Sequence, residues 1–278
     1  AQPDYETKST YSVTILSTDS GGKTLSREFT ILVTDANDAP ILTVPAGGSV
    51  VEDADVSTIT GSLVGSDLEG DSLKYSVVDM TLSDDVPGSY IATGTYGTLD
   101  LKEATGVYSY TLDNSLPAVN ALAASSSVTE TFSVKVSDAT NSTEAQILSF
   151  TIRGANDAPN SIALDSTIIV ENTAVVGALS GSDPEGTVLS YSVAASGDGA
   201  SFEIDSLNNL KLISSTADYE SNKKSYTVTV DASDGDLKIS QPFNIIVEDV
   251  NEAPTWHDNV PIFVADEDEI FSYDLSTI

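Results

Sequence analysis

The 278-residue chain contains no cysteine, one histidine, one methionine and one tryptophan. Without thiols it has no disulfide staple, no thiolate zinc site and no cysteine nucleophile. The lone imidazole, His257 beside Trp256, reads as an exposed linker residue rather than the base of a Ser-His-Asp triad. Positive charge is scarce too: 11 Lys and Arg stand against 43 Asp and Glu, a formal net charge of −32. A field of that sign repels phosphate backbones and anionic lipid, which argues against nucleic acid and membrane insertion and favours cations. Long hydrophobic runs are missing, so no segment reads as a bilayer span. A basic start followed by an apolar stretch is missing as well, and the first residue is not Met; the reading is a fragment, with any secretion signal lying elsewhere in a longer parent or already removed. The paired glycines at 21–22 and 47–48 read as turns, not as a phosphate cradle. Carboxylates are too many for any two to stand out as a glycosidase pair. The expectation is that the chain is not an enzyme.

What is present is repetition. "DANDAP" (35–40), "GANDAP" (154–159) and "DVNEAP" (249–254) lie 119 and 95 residues apart, the size of small domains. Each closes a stretch of strict apolar/polar alternation. Tyr11, Val13 and Ile15 precede Phe29, Ile31 and Val33; Phe132, Val134 and Val136 precede Phe150 and Ile152; Tyr226, Val228 and Val230 precede Phe243, Ile245 and Val247. Period two in β-branched and aromatic residues marks half-buried strands, and the Asp-bearing turn inside each set makes them hairpins. Upstream, "GSDLEGDSLKYSV" (65–77) repeats as "GSDPEGTVLSYSV" (181–193). Helical periodicity is absent. Together these features predict an all-β chain of tandem antiparallel Greek-key sandwiches. The expected domains are 41–159 and 160–254, with the closing strands of another unit in 1–40 and the opening strands of a further one in 255–278.

Residues 160–254 resemble a cadherin-type repeat through "VEN" (170–172), "DYE" (218–220), "DASDGD" (231–236) and "DVNEAP". Residues 41–159 resemble the VCBS repeat of large bacterial adhesins of the RTX kind, through "YGTLDL" (96–101), "GVYSYTLDNSLPAVNALA" (106–123), "TFSVKVSD" (131–138) and "GANDAP". "DYE" (4–6) with "TDANDAP" (34–40) resembles the back of another cadherin-like repeat. The resemblance implies cadherin-like or immunoglobulin-like sandwiches with calcium at their junctions. It implies a ligand set for the first junction of Glu6, Asp35, Asn37 and Asp38 with Glu52, Asp67 and Asp138. For the second it implies Asn156 and Asp157 with Asp113, Glu171, Asp183 and Asp234; for the third, Glu220, Asp249, Asn251 and Glu252. The sequence departs from the animal pattern where Ala39, Ala158 and Ala253 stand in place of a further Asn, and where Gly154 replaces the leading Asp. Fewer ions are expected there.

The chemistry is consistent with those residue types. Calcium takes six to eight oxygens in flexible geometry at ~2.3–2.6 Å. A joint rich in Asp, Asn and Glu, flanked by acidic turns, offers such a shell, whereas an Asx-rich linker without metal is the plainer alternative. Asp67, Glu69 and Asp71 alternate like the start of an EF-hand loop, but Gly70 and Ser72 misplace the glycine, so the stretch reads as a sandwich turn lending one or two carboxylates. The resulting expectation is a string of calcium-stiffened extender repeats in a bacterial surface adhesin or filament, outside the cell, serving adhesion or biofilm formation. Its partners would be calcium, neighbouring repeats, and other copies or surface glycans. The alternative is a calcium-dependent glycan- or protein-binding module using the insertion at 80–98.

Overall fold

The alternating stretches form the long strands of the computed structural model, which describes residues 2–213, 216–221, 223–253 and 267. The opening strands expected in 255–278 lie outside the described residues apart from Glu267. The chain divides into two compact units, residues 1–159 with 183–188, and residues 160–182 with 189–278. Both are built from β-structure, and the architecture is that of tandem β-sandwich repeats.

The first unit begins with a hairpin of β1 (Thr10–Thr18) and β2 (Thr24–Leu32), in which Tyr11 faces Ile31 and Val13 faces Phe29. The sandwich then opens with one edge strand broken in two. β3 (Ile41–Thr43) pairs antiparallel with β6 (Val64–Ser66), and β4 (Ser49–Val51) pairs parallel with β12 (Gln146–Arg153). The break lies at Gly47 and Gly48: a Cβ on Gly47 would collide with the Ser149 carbonyl, and Gly48 adopts φ 103°, a left-handed conformation that glycine tolerates. β5 (Thr58–Ser62), β8 (Ser89–Thr93), β9 (Gly97–Lys102) and β10 (Val107–Leu112) make one sheet in the order β5-β10-β9-β8. β4, β7 (Lys74–Val77), β11 (Ser127–Ser137) and β12 make the other, in the order β4-β12-β11-β7. Between them the Tyr110 ring stacks on Phe150 at 4.3 Å, with Tyr108 and Phe132 edge-on to Phe150.

The second unit repeats this plan. β13 (Ser161–Leu164), β15 (Val175–Ser182), β17 (Phe202–Ile204) and β18 (Asn209–Leu212) form the sheet β13-β15-β18-β17. β14 (Ile168–Val170), β16 (Ser190–Gly197), β19 (Ser225–Ser233) and β20 (Lys238–Glu248) form the sheet β14-β20-β19-β16. Ile169, Leu210, Val228, Val230 and Ile245 fill its core.

Two features depart from a purely antiparallel, helix-free expectation. In each unit the second half of the opening strand pairs parallel with the closing strand, β4 with β12 and β14 with β20. Crossing from one sheet to the other lets one segment seal both layers, and the crossing sets the parallel direction. Two short helical turns interrupt the strands, α1 (Pro117–Asn120) and a 3-10 turn at Gly199–Ser201; Pro at the start of α1 presets φ, and Val119 is fully buried.

Truncating Phe150 to Ala is expected to destabilise the first unit by about 3–5 kcal/mol. Ile15→Ala, on the exposed hairpin, is expected to stay within about 0.5 kcal/mol. Urea unfolding of the two variants checks the contrast.

Candidate metal centres

The joints bring acidic side chains together in three clusters. In the first, all within the first unit, Asn37 donates its side-chain amide to the Asp38 carbonyl at 2.6 Å and to Asp138 Oδ2 at 3.0 Å. The Asp38 N–H donates to Glu69 Oε2 at 3.3 Å, and Glu6, Asp38 and Glu69 each present a carboxylate oxygen within 4.8 Å of the others. Asp138 is buried, and the N–H groups of Asn141 and Thr140 with the Asn37 amide hold it below the usual carboxylate range. Asp67 takes the Asp71 N–H on one oxygen at 2.9 Å. For Glu6, a hydrogen bond from its own backbone works downward, while lost solvation and the charges of Asp35 and Asp38 raise it on balance.

The second cluster, also in the first unit, is the most buried. Glu52 follows β4 directly. Its N–H donates to the Arg153 carbonyl at 2.9 Å, and its Oε2 accepts the Ala155 N–H at 3.0 Å, so a 2%-exposed carboxylate reads the backbone leaving β12. Asp53 adopts φ 54° beside it. The Asp157 N–H donates to Glu185 Oε1 at 2.8 Å, repeating the contact between Asp38 and Glu69. The Asn156 amide donates to the Asp157 carbonyl as Asn37 does to Asp38. Burial pushes the Glu52 carboxyl up to about 7 against the pull of the Ala155 N–H, with the charges of Asp157, Asp53 and Glu185 adding to it. Burial, then Asp53, Glu185 and Asp183, push Asp157 up to about 6.

The third cluster lies in the second unit, around Glu171. Glu171 is the counterpart of Glu52: its N–H donates to the Glu248 carbonyl at 3.0 Å, and its carboxylate accepts the N–H groups of Val250 and, at 3.0 Å, Tyr219. Those two donors hold it below its ordinary value. Glu171, Asp218 and Glu220 bring carboxylate oxygens within 4.8 Å, and Asn172, at φ 60°, donates to Glu252 at 2.7 Å. Asp249 also hydrogen-bonds Glu171.

An oxygen-loving cation fits this donor set. Among the described residues eight buried side-chain atoms lack a hydrogen-bond partner, and six are carboxylate oxygens of the first two clusters: Asp67 Oδ2, Glu69 Oε1, Glu52 Oε1, Asp157 Oδ2, Asp183 Oδ2 and Glu185 Oε2. Buried acceptors are ordinarily satisfied, and like charges gathered without a counterion repel. A hard divalent cation answers both needs with ligands of the type calcium takes.

Several expected ligands are placed differently by the fold. Glu52 joins Asp157 rather than Asp38, and Glu171 joins Glu220 and Asp249 rather than Asp157, because the parallel pairing of β4 and β14 carries both to the outgoing end of their own sandwich. Asp113 is held in its own turn, accepting the Ser115 N–H at 3.0 Å and hydroxyl at 2.6 Å. Asp234 likewise accepts the N–H groups of Asp236 and Leu237. Asn251 is exposed in the segment after β20. Asp53, Glu185 and Asp218 were not expected in the set, and Glu69 only as part of a turn lending one or two carboxylates. The signal for Glu69 and Glu185 is their shared place in the repeated "GSDxEG" turn.

Residues 37–154 match the bacterial cadherin-like domain family. Over 92% of its length the chain is 28% identical to mouse protocadherin Fat 4, of which it spans 5%. The human protein of that name is also 28% identical, over 95% of the chain and 5% of its own length. Solved structures with this fold include protocadherin gamma B2 extracellular cadherin domains 1–5 (TM-score 0.57, 18% identity, 90% of this chain and 48% of that one). Mouse cadherin-23 EC22–24 is similar as well (TM-score 0.55, 19% identity, 90% and 78%). The fold is therefore the one these cadherin domains share, and residues 37–154 are the part of the chain that matches the bacterial cadherin-like family.

The raised carboxyls set a pH dependence for the metal-free chain. A folded value of about 7 for Glu52, above its ordinary 4.5, means the fold takes up a proton there. The stabilising contribution is full below the ordinary value and is lost as pH rises through the folded one. In chelator, the urea midpoint of the first unit is expected to fall between about pH 4.5 and 7, and Glu52→Gln to flatten that slope.

Proposed function

We propose that these clusters hold calcium and that the chain is a set of calcium-stiffened, non-enzymatic extender repeats from a bacterial surface adhesin or filament, working outside the cell. The observation that carries the reading is the six buried carboxylate oxygens without partners at the ends of the sandwich strands. Glu6, Asp38, Glu69 and Asp67 would hold metal in the first cluster; Glu52, Asp53, Asp157, Asp183 and Glu185 in the second; Glu171, Asp218, Glu220, Asp249 and Glu252 in the third. Bound calcium supplies positive charge that offsets carboxylate repulsion. The chain's part is to place ligands far apart in sequence on one point, with Asn37 and Asn156 bracing the extended joint through the next carbonyl. The VCBS-type resemblance of 41–159, the family match over 37–154 and a net charge of −32 support an exported setting. Among the described residues no helix is long and apolar enough to cross a membrane.

Extracellular calcium modules bind at about 10⁻⁴–10⁻³ M, so such sites are empty in cytosol and fill outside. A native-only site adds ~2.7 kcal/mol at a hundred times its dissociation constant, comparable to a disulfide in a chain that has none. Calorimetric titration is expected to show calcium binding in this range, poor replacement by magnesium, and a higher thermal midpoint with calcium than with chelator. Asp157→Ala should lose one group of sites and retain the others. Absence of calcium heat at millimolar concentration, with identical X-ray scattering in calcium and chelator, overturns the reading.

A further inference from the structure

We propose that the uncovered edge of β11 at Thr129 and Thr131 is a strand-addition site for an extended, cationic peptide. Strand register shows which backbone groups are involved. Gly154 N–H donates to the Ser126 carbonyl, so the even-numbered residues of β11 turn their backbone groups toward β12. Val78 N–H donates to the Ser133 carbonyl, so the odd-numbered residues face the β7 side. β7 pairs only with Val134–Ser137, and the chain then turns away at Asp79, φ 60°. Beyond Ser133, the N–H and C=O groups of Thr129 and Thr131 point along a strand edge that has no ladder partner among the described residues, and both residues are exposed.

The second unit closes the same edge. Pairing of Val134 with Val77 corresponds to pairing of Val230 with Val193, which makes Thr227 the counterpart of Thr131. There the bulged end of β16 continues past the turn point, Asp198 N–H donates to the Thr227 carbonyl at 2.8 Å, and Asp198 Oδ2 accepts the Thr227 N–H at 2.9 Å. One sandwich plugs this position with its own chain, and the other leaves it open. Unprotected edges are usually guarded by lysine, proline or a bulge. Ser127, Thr129, Thr131 and Ser133 supply none of these.

The open edge borders a groove of ≈ 680 Å³ between β11, the turn joining β8 to β9, and the start of the loop after β7. Its floor includes Val77, Ala92, Met80 and Phe132, and its ionisable residues other than Tyr96 are the carboxylates Asp79 and Glu130, with no Lys, Arg or His. Glu130 is 6% exposed, and accepts the Tyr96 N–H at 3.0 Å and the Tyr110 hydroxyl at 2.6 Å, so its carboxyl group is fixed in place, with no basic side chain paired to it among the described residues. Backbone pairing supplies affinity, alternate side chains entering the groove supply selection, and the charge favours Lys or Arg.

The test uses the full chain and a seven-residue peptide of alternating lysine and valine, with two controls: the same peptide N-methylated on alternate amides, and one with glutamate for lysine. Expected are slowed amide exchange at Thr129 and Thr131 on adding the lysine peptide, at least about tenfold weaker binding of both controls, and a similar loss on Thr131→Pro. That substitution removes an edge donor and no β12 bond, so an unchanged urea midpoint reports an intact fold; if it fails to fold, the exchange data on the unsubstituted chain decide. Unchanged exchange at both threonines, equal binding of the N-methylated peptide, or glycan binding in the groove without amide protection overturns the proposal. Calcium-saturated and calcium-free samples should behave alike, so failure here is separate from failure of the metal reading.

Discussion

The molecule depends on one arrangement: a buried glutamate at the end of the opening strand that accepts backbone N–H groups from the segment leaving the closing strand. Glu52 does this with Ala155, and Glu171 with Val250. Parallel pairing of β4 with β12 and β14 with β20 makes it possible, since both strand ends then arrive at the same end of the sandwich. The backbone bonds orient the carboxylate and leave charge behind. Desolvating an ion costs several kcal/mol unless opposite charge compensates it.

The two glutamates show how neighbours decide that balance. Glu171 receives two backbone N–H groups and stays below its ordinary value. Glu52 receives one, sits among Asp53, Asp157 and Glu185, and is raised to about 7. The same motif is therefore nearly satisfied by protein in one unit and short of positive charge in the other. A cation would gain most where the protein's own donors run out, so under the proposed calcium reading the Glu52 cluster is the one whose occupancy would matter most to stability.

Much of the fold was legible because half-buried strands carry a period of two. Tyr11 to Ile15, Phe132 to Val136 and Tyr226 to Val230 all lie in strands, and the segments 35–40, 154–159 and 249–253 follow hairpins. The sandwich class followed from the alternation and the repeated turns, and the cadherin-like form from the resemblance of motifs such as "DYE" and "DVNEAP". The parallel edge strands were not legible, because three-residue pieces such as Ser49–Val51 are too short to show direction. The helical turn at Pro117 is likewise shorter than any periodic signal. For the clusters, residue types were readable and partners were not. Glu52 and Glu171 carry the same local "VE" signature, and only the crossover to the other sheet reveals which end of the sandwich they reach.

The hairpin β1–β2 separates pattern from burial. Val13 and Ile15 have the alternation of Val134 and Val136, yet they are 44% and 56% exposed where the latter are fully buried. Alternation specifies a face; only a second layer buries it, and a two-stranded ribbon alone has none. The hydrogen bonds tying the end of this hairpin to the sandwich are polar ones, from Asn37 to Asp138, from Asp38 to Glu69 and from Asn141 to Asn37. Apolar packing, which titrates with neither protons nor divalent cations, holds each sandwich. The joint rests instead on carboxylates and amides, whose interactions depend on protons and counter-charge.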